Sequence, residues 1–226
     1  MIVTHALAAV AAGAVLTFQS WGYMVPHKNP LDSLVLINKV YRAPNAPIAL
    51  RLPDVEPVEE TIRGNTYMVP KAAQALEEMF AEAASQGIHF YTRSGYRSYQ
   101  TQKTIYERRD REGRYSSVAK AGYSEHQSGY AMDVEGQSTL GKGLVEAIGS
   151  SPEGIWLAEH CHEFGFILRY PKDKQSITGY IYEPWHIRYV GRENAARIHE
   201  QDVTLEEYLT KLRRDRIASL EVDKEQ

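Results

Sequence analysis

An α+β fold, with a small mixed or antiparallel sheet and flanking helices, is what this chain predicts, and three observations carry it. Helical and strand-like periodicities follow one another without a strict strand–helix–strand alternation. No glycine-rich phosphate loop follows a strand. At 226 residues, 43% hydrophobic and 24% charged, the chain has apolar material for one globular core, and two full domains would be cramped.

The N-terminal run from Ala6 to Phe18 is as long as a signal-peptide core and short for a membrane span. No Lys or Arg precedes it and no A-x-A site follows it. A cleaved signal, an uncleaved anchor and a buried helix are all open, with export or anchoring favoured. Residues 1–30 are therefore set apart as a targeting or anchor segment plus linker, 31–200 as the functional body and 201–226 as a charged helix and tail.

Proline-rich connections surround a short element expected at Leu34 to Tyr41. "VPKAAQALEEMFAEAASQG" then reads as a helix: Pro70 suits the first turn, Leu76, Met79, Phe80 and Ala83 form the apolar stripe, and Gly87 marks the end. "IHFYTRSG" alternates as a strand and delivers Arg93 to Arg97 at its exit. A polar helix from about Ser98 to Arg111 closes at Gly113, and a long loop leads to "SEHQSGYAMDV". Ser151 and Pro152 start a helix that ends at Gly165; "FILRYP" and "WHIRYVG" read as strands around a turn-rich stretch. A capping box, Thr204 to Glu207, opens the last helix.

Charge and cysteine content narrow the chemistry. A formal net charge of −3 gives no basic footprint for nucleic acid. The single cysteine, Cys161, excludes an internal disulfide and any multi-cysteine metal site, so a metal here must use histidine and carboxylate. His126 and Asp133 flank a turn into a strand, and His186 starts another. Two imidazoles and one carboxylate leave a fourth zinc position open, which is the arrangement of a catalytic zinc. Glu183, three residues before His186 with Pro184 between, is placed to serve as general base beside that metal. His160 and His162 in "EHCHE" look like a metal cluster, but i and i+2 residues of a helix point apart, and Cys161 reads as a small buried hydrophobe.

Four blocks, "SGYRSYQTQ" (94–102), "SEHQSGYAMDV" (124–134), "GFILRYP" (165–171) and "EPWHIRYVG" (183–191), together resemble the zinc D-alanyl-D-alanine carboxypeptidases of the VanY type. These belong to a wider metallopeptidase group that includes lysostaphin-like enzymes and the hedgehog domain. The resemblance implies that fold, one zinc ion on His126, Asp133 and His186, and Glu183 as catalytic base. It implies that Arg97 faces the substrate carbonyl and developing oxyanion, and that Ser128, Gln102, Tyr170 and Trp185 hold the C-terminal residue of the peptide. The expected substrates are peptidoglycan stem peptides losing a terminal D-alanine, acted on outside the cytoplasm by a monomer that is secreted or membrane-anchored. L,D-carboxypeptidase, D-Ala-D-Ala dipeptidase and lysin-type endopeptidase activities remain open on the same chemistry. A zinc-containing binding module is the non-enzymatic alternative, disfavoured because Glu183 and Arg97 are both present.

Overall fold

Two layers of apolar side chains meet on a four-stranded antiparallel sheet, and the opposite face of its central strands carries polar residues. The computed structural model describes residues 33–43, 56–58, 66–113 and 118–222. The apolar N-terminal run lies outside them. Among the described residues, no helix is long and apolar enough to cross a membrane.

A short ribbon pairs β1 (Glu56–Val58) with β2 (Thr66–Met68). The main sheet contains β3 (Phe90–Ser94), β4 (Ala131–Gly136), β5 (Phe166–Leu168) and β6 (His186–Tyr189) in the order β3-β4-β6-β5, every pairing antiparallel. Period-two alternation sorts the side chains of β4 and β6. Met132, Val134 and Ile187 enter the main core, against Leu76, Met79 and Phe80 of α1 (Pro70–Ser85) and Leu157 of α3 (Pro152–His160). Asp133, His186 and Arg188 take the other face. Leu76 is fully buried, so truncating it to alanine would cost roughly 2–5 kcal/mol.

Helix α2 (Tyr99–Arg111) starts at Ser98, whose hydroxyl accepts from the Thr101 amide at 3.1 Å. The helix begun at Pro152 tightens into a 3-10 turn over Cys161–Phe164 before Gly165, which takes φ +87°. A second core cluster joins Leu36, Ile167, Ala195 and Ile198 to Leu205, Tyr208 and Leu209. It lies among β5, α5 (Arg192–Glu200) and α6 (Leu205–Val222). The capping box forms as expected: Thr204 donates its amide to Glu207 at 2.8 Å, and the Glu207 amide returns to the Thr204 hydroxyl at 3.2 Å.

Several local expectations differ. Leu34–Tyr41 is an irregular segment rather than a helix or strand, buried over Val35 to Asn38 and exposed at Lys39 and Val40. Its backbone is committed elsewhere: the Ser33 and Val35 carbonyls accept from Arg188, and Asn38 Oδ1 accepts from the amides of Val40 and Tyr41. The turn-rich stretch hides α4 (Gln175–Thr178), and α5 carried no strong N-terminal signal because its cap is Gly191, without a capping side chain. The β1–β2 ribbon gave no sequence signal, because its strands are too short to show a period.

Candidate metal centre and cleft

Strand pairing builds the centre. In the β4–β6 register Asp133 stands directly opposite His186, so adjacent side chains on one face are brought together by backbone hydrogen bonding alone. His126 comes from a 3-10 turn, Glu125–Ser128, closed by Gly129 at φ +72°, a left-handed backbone that glycine adopts without penalty. The loop after β3 lies across this turn. The Arg97 amide donates to the His126 carbonyl at 3.1 Å, and the Gly95 carbonyl faces His126 Nδ1 at 2.8 Å. Gly95 fits because a Cβ there would collide with the Tyr67 carbonyl. A register shift between Thr92 and Ser94 turns the end of β3 toward Asp133.

The result is one buried group. Nitrogens of His126 and His186 and an Asp133 oxygen lie within 4.8 Å of one another, the only such group of three or more among the described residues. Asp133 Oδ2 is 3.4 Å from His126 Nε2, and Asp133 Oδ1 is 3.0 Å from His186 Nδ1. The imidazole planes meet at 81° with centroids 4.9 Å apart. Each ring thus turns one nitrogen inward and engages the other outside. This donor set, two nitrogens and a carboxylate oxygen, fits zinc with a position left for water.

Electrostatics follow from burial and proximity. Burial and then Arg97 push His126 down to about 4. For His186, burial acts downward, but hydrogen bonds to the carboxylates of Asp133 and Glu125 carry it up to about 9. Asp133 stays well below its ordinary value: burial opposes ionisation and the two histidines outweigh it. Glu183 rises to about 7, chiefly by burial, with Asp133 and Glu125 adding to the rise and His186 and Arg97 opposing it.

The centre opens into a cleft of about 410 Å³. Glu183, Arg97, Gln102, Tyr170 and Trp185 all line it. Arg97 Nη2 donates to Asp133 Oδ2 at 2.9 Å and its Nε to Ser94 Oγ at 2.9 Å. Gln102 is fully buried; its oxygen faces Arg97 Nη1 at 3.3 Å and its nitrogen donates to the Ala119 carbonyl at 2.7 Å. Its amide is thus engaged in holding the arginine. Tyr170 stacks on Tyr180 at 4.5 Å and sits 4.9 Å from the His186 ring.

Ser128 is placed differently from the expectation. Its hydroxyl donates to the Glu125 carbonyl at 2.5 Å and accepts from the Tyr130 amide at 3.2 Å, so it closes its own turn. Ser124, four residues earlier in the same block, lines the cleft and makes no side-chain cap to that turn. Sequence reasoning also missed Glu125, Arg169 and Arg188. A signal existed: single arginines in "FILRYP" and "WHIRYVG" interrupt otherwise apolar strand patterns, and such charges need buried partners. Cys161 is buried and pushed up to about 12, so it carries no thiolate.

The chain is similar to known proteins along most of its described length. A family model described as VanY: D-alanyl-D-alanine carboxypeptidase matches residues 65–192. A D-alanyl-D-alanine carboxypeptidase of Enterococcus faecium is 37% identical over 200 residues, 85% of this chain and 62% of that relative's length. Among solved structures, the LD-carboxypeptidase LdcB is 40% identical with a TM-score of 0.75, covering 81% of this chain and 88% of its own. A vancomycin-resistance D,D-pentapeptidase, VanY of a VanB-type cassette in complex with Zn(II), is 32% identical with a TM-score of 0.64, covering 78% and 98%.

Proposed function

The chain belongs to the VanY family of D-alanyl-D-alanine carboxypeptidases, and from that premise we propose that it is a zinc-dependent D,D-carboxypeptidase acting on peptidoglycan stem peptides. The observation that carries the reading is the buried His126, Asp133 and His186 group opening on a cleft that also holds Glu183 and Arg97. When bound, zinc supplies a Lewis acid for the scissile carbonyl and lowers the pKa of a water to about 7.

The chain's own groups divide the remaining work. Glu183, held near neutrality at about 7, takes a proton from the attacking water and returns it to the amine of the departing D-alanine. Water is thereby added across one amide bond, giving a shortened peptide and a free amino acid. Arg97, braced by Ser94 and Gln102, presents a fixed guanidinium toward the oxyanion. Tyr170 and Trp185 form an apolar wall, and Ser124 takes the hydroxyl role first assigned to Ser128, bonding the terminal carboxylate of the substrate.

Such substrates place the protein outside the cytoplasm, anchored or released according to the fate of residues 1–30, and it acts as a monomer. Incubation of the full chain with synthetic tri-, tetra- and pentapeptide stems, followed by mass spectrometry, tests the reading. Loss of one alanine from the pentapeptide supports it. Cleavage of the tetrapeptide alone moves the assignment to the L,D-carboxypeptidase reading, which the likeness to LdcB favours.

A further inference from the structure

Glu125 takes no part in the chemistry above, yet its side chain is fully buried beside the metal centre. Oxygen Oε1 accepts from Arg169 Nε at 2.7 Å and from Arg188 Nη1 at 2.8 Å. Oxygen Oε2 faces His186 Nε2 at 3.3 Å. The two arginines are themselves fixed. Arg169 makes a bidentate pair with Glu206 at 2.9 and 2.6 Å, and Arg188 donates to the Ser33 and Val35 carbonyls, both at 2.9 Å.

We propose that Glu125 is a positioning residue for the metal: it accepts the Nε2 proton of His186, fixes that ring as an Nδ1 ligand, and is itself locked in place by Arg169 and Arg188. The inference rests on the zinc reading above and deepens it. The two histidines are presented oppositely. His126 engages the Gly95 carbonyl through Nδ1 and turns Nε2 inward, whereas His186 engages Glu125 through Nε2 and turns Nδ1 inward. An imidazole can present either nitrogen, and its outer partner decides which. A carboxylate in that place also raises the basicity of the inward nitrogen.

The bracing has a reason. A lone buried carboxylate would be too costly, and a flexible one could turn both oxygens to the guanidiniums. With both arginines on Oε1 and each tied down at its far end, Oε2 is directed at the imidazole. Through Arg169 and Glu206, the first turn of α6 becomes part of the support of the metal centre, although it lies about eighty residues away in sequence from Glu125. A glutamine at position 125 could not serve both neighbours, because its NH2 must face either the guanidiniums or His186 Nε2.

The test compares the full chain with Glu125→Gln and Glu206→Gln. It measures zinc affinity by chelator competition, melting of the metal-free proteins, and the His186 tautomer by 15N–1H spectroscopy of the zinc-bound wild type. Glu125→Gln should remain folded and bind zinc about 10- to 100-fold more weakly. Glu206→Gln, which loosens Arg169 without touching His186, should lower the melting temperature and weaken zinc binding by a smaller factor than Glu125→Gln. Wild-type zinc affinity in a folded Glu125→Gln overturns the inference. If that variant fails to fold, the wild-type spectrum decides: a retained Nε2 proton supports the inference, and coordination of His186 through Nε2 overturns it. A wild type that takes up no zinc overturns the functional reading as well, which separates the two failures.

Discussion

Two parts of this chain bring histidines together near a carboxylate, and among the described residues only one makes a metal-ready group. In the first, strand register and a short turn point the inner nitrogens of His126 and His186 at Asp133, while Gly95 and Glu125 occupy the outer ones. In the second, at the end of α3, His162 lies flat on His199 with centroids 3.7 Å apart and planes 5° from parallel. His160 turns away to Glu163 at 2.9 Å, and His162 Nδ1 is buried with no hydrogen-bond partner. Rings stacked face to face cannot aim in-plane lone pairs at one point. Ligand types near one another are not enough; a metal site also needs an outer partner for each imidazole.

The largest effect that could break this contrast is loss of the metal. His126→Ala or Asp133→Ala should abolish zinc uptake and turnover, whereas His162→Ala should keep one zinc per chain, as read by elemental analysis. Equal metal loss in all three would erase the distinction. Next in size is the carboxylate proposed as general base. Glu183→Ala should retain zinc and peptide binding while turnover falls by roughly 10²–10⁴-fold, measured by D-alanine release at saturating stem peptide.

A smaller effect concerns pH in the metal-free protein. Burial raises Glu183 from 4.5 to about 7, so the folded state favours its neutral form. The associated stability is fully present below about pH 4.5 and is lost as pH rises through about 7. Glu183→Gln cannot ionise, so it should be more stable than wild type above pH 7, by about 3 kcal/mol, with the difference gone near pH 4. Urea melts of both proteins across that range check the sign; a constant gap at all pH values would contradict it. The smallest effect belongs to the second cluster. His162→Ala should shift stability by no more than about 1 kcal/mol in the same melts, because its ring contributes one stacking contact and an unpartnered nitrogen.

Much of the first site was legible in the amino-acid order because its chemistry is local. His126 and Asp133 are seven residues apart across one turn, Glu183 precedes His186 by three, and Arg97 follows directly on a strand. The apolar stripe of α1, the Ser151 and Thr204 caps and the four main strands were legible for the same reason: propensity, capping and periodicity act over a few residues. Ser128 was misplaced within its own block because the 3-10 turn rotates Ser124 to the cleft and folds Ser128 back on Glu125. A linear motif does not state which side of a turn each hydroxyl takes.

What the order of residues determined by itself is thus the fold class and the kind of metal centre, both set by short-range rules. Tertiary structure alone decided which nitrogen each histidine presents. It also decided that Gln102 braces Arg97, and that Glu125, Arg169, Arg188 and Glu206 form one buried network under the metal centre. The partners of that network are separated by 37 to 63 positions. Their pairing has no period or spacing to betray it. It exists because burying charge is tolerable only where opposite charges converge, and that convergence appears when the sheet and the last helix are packed together.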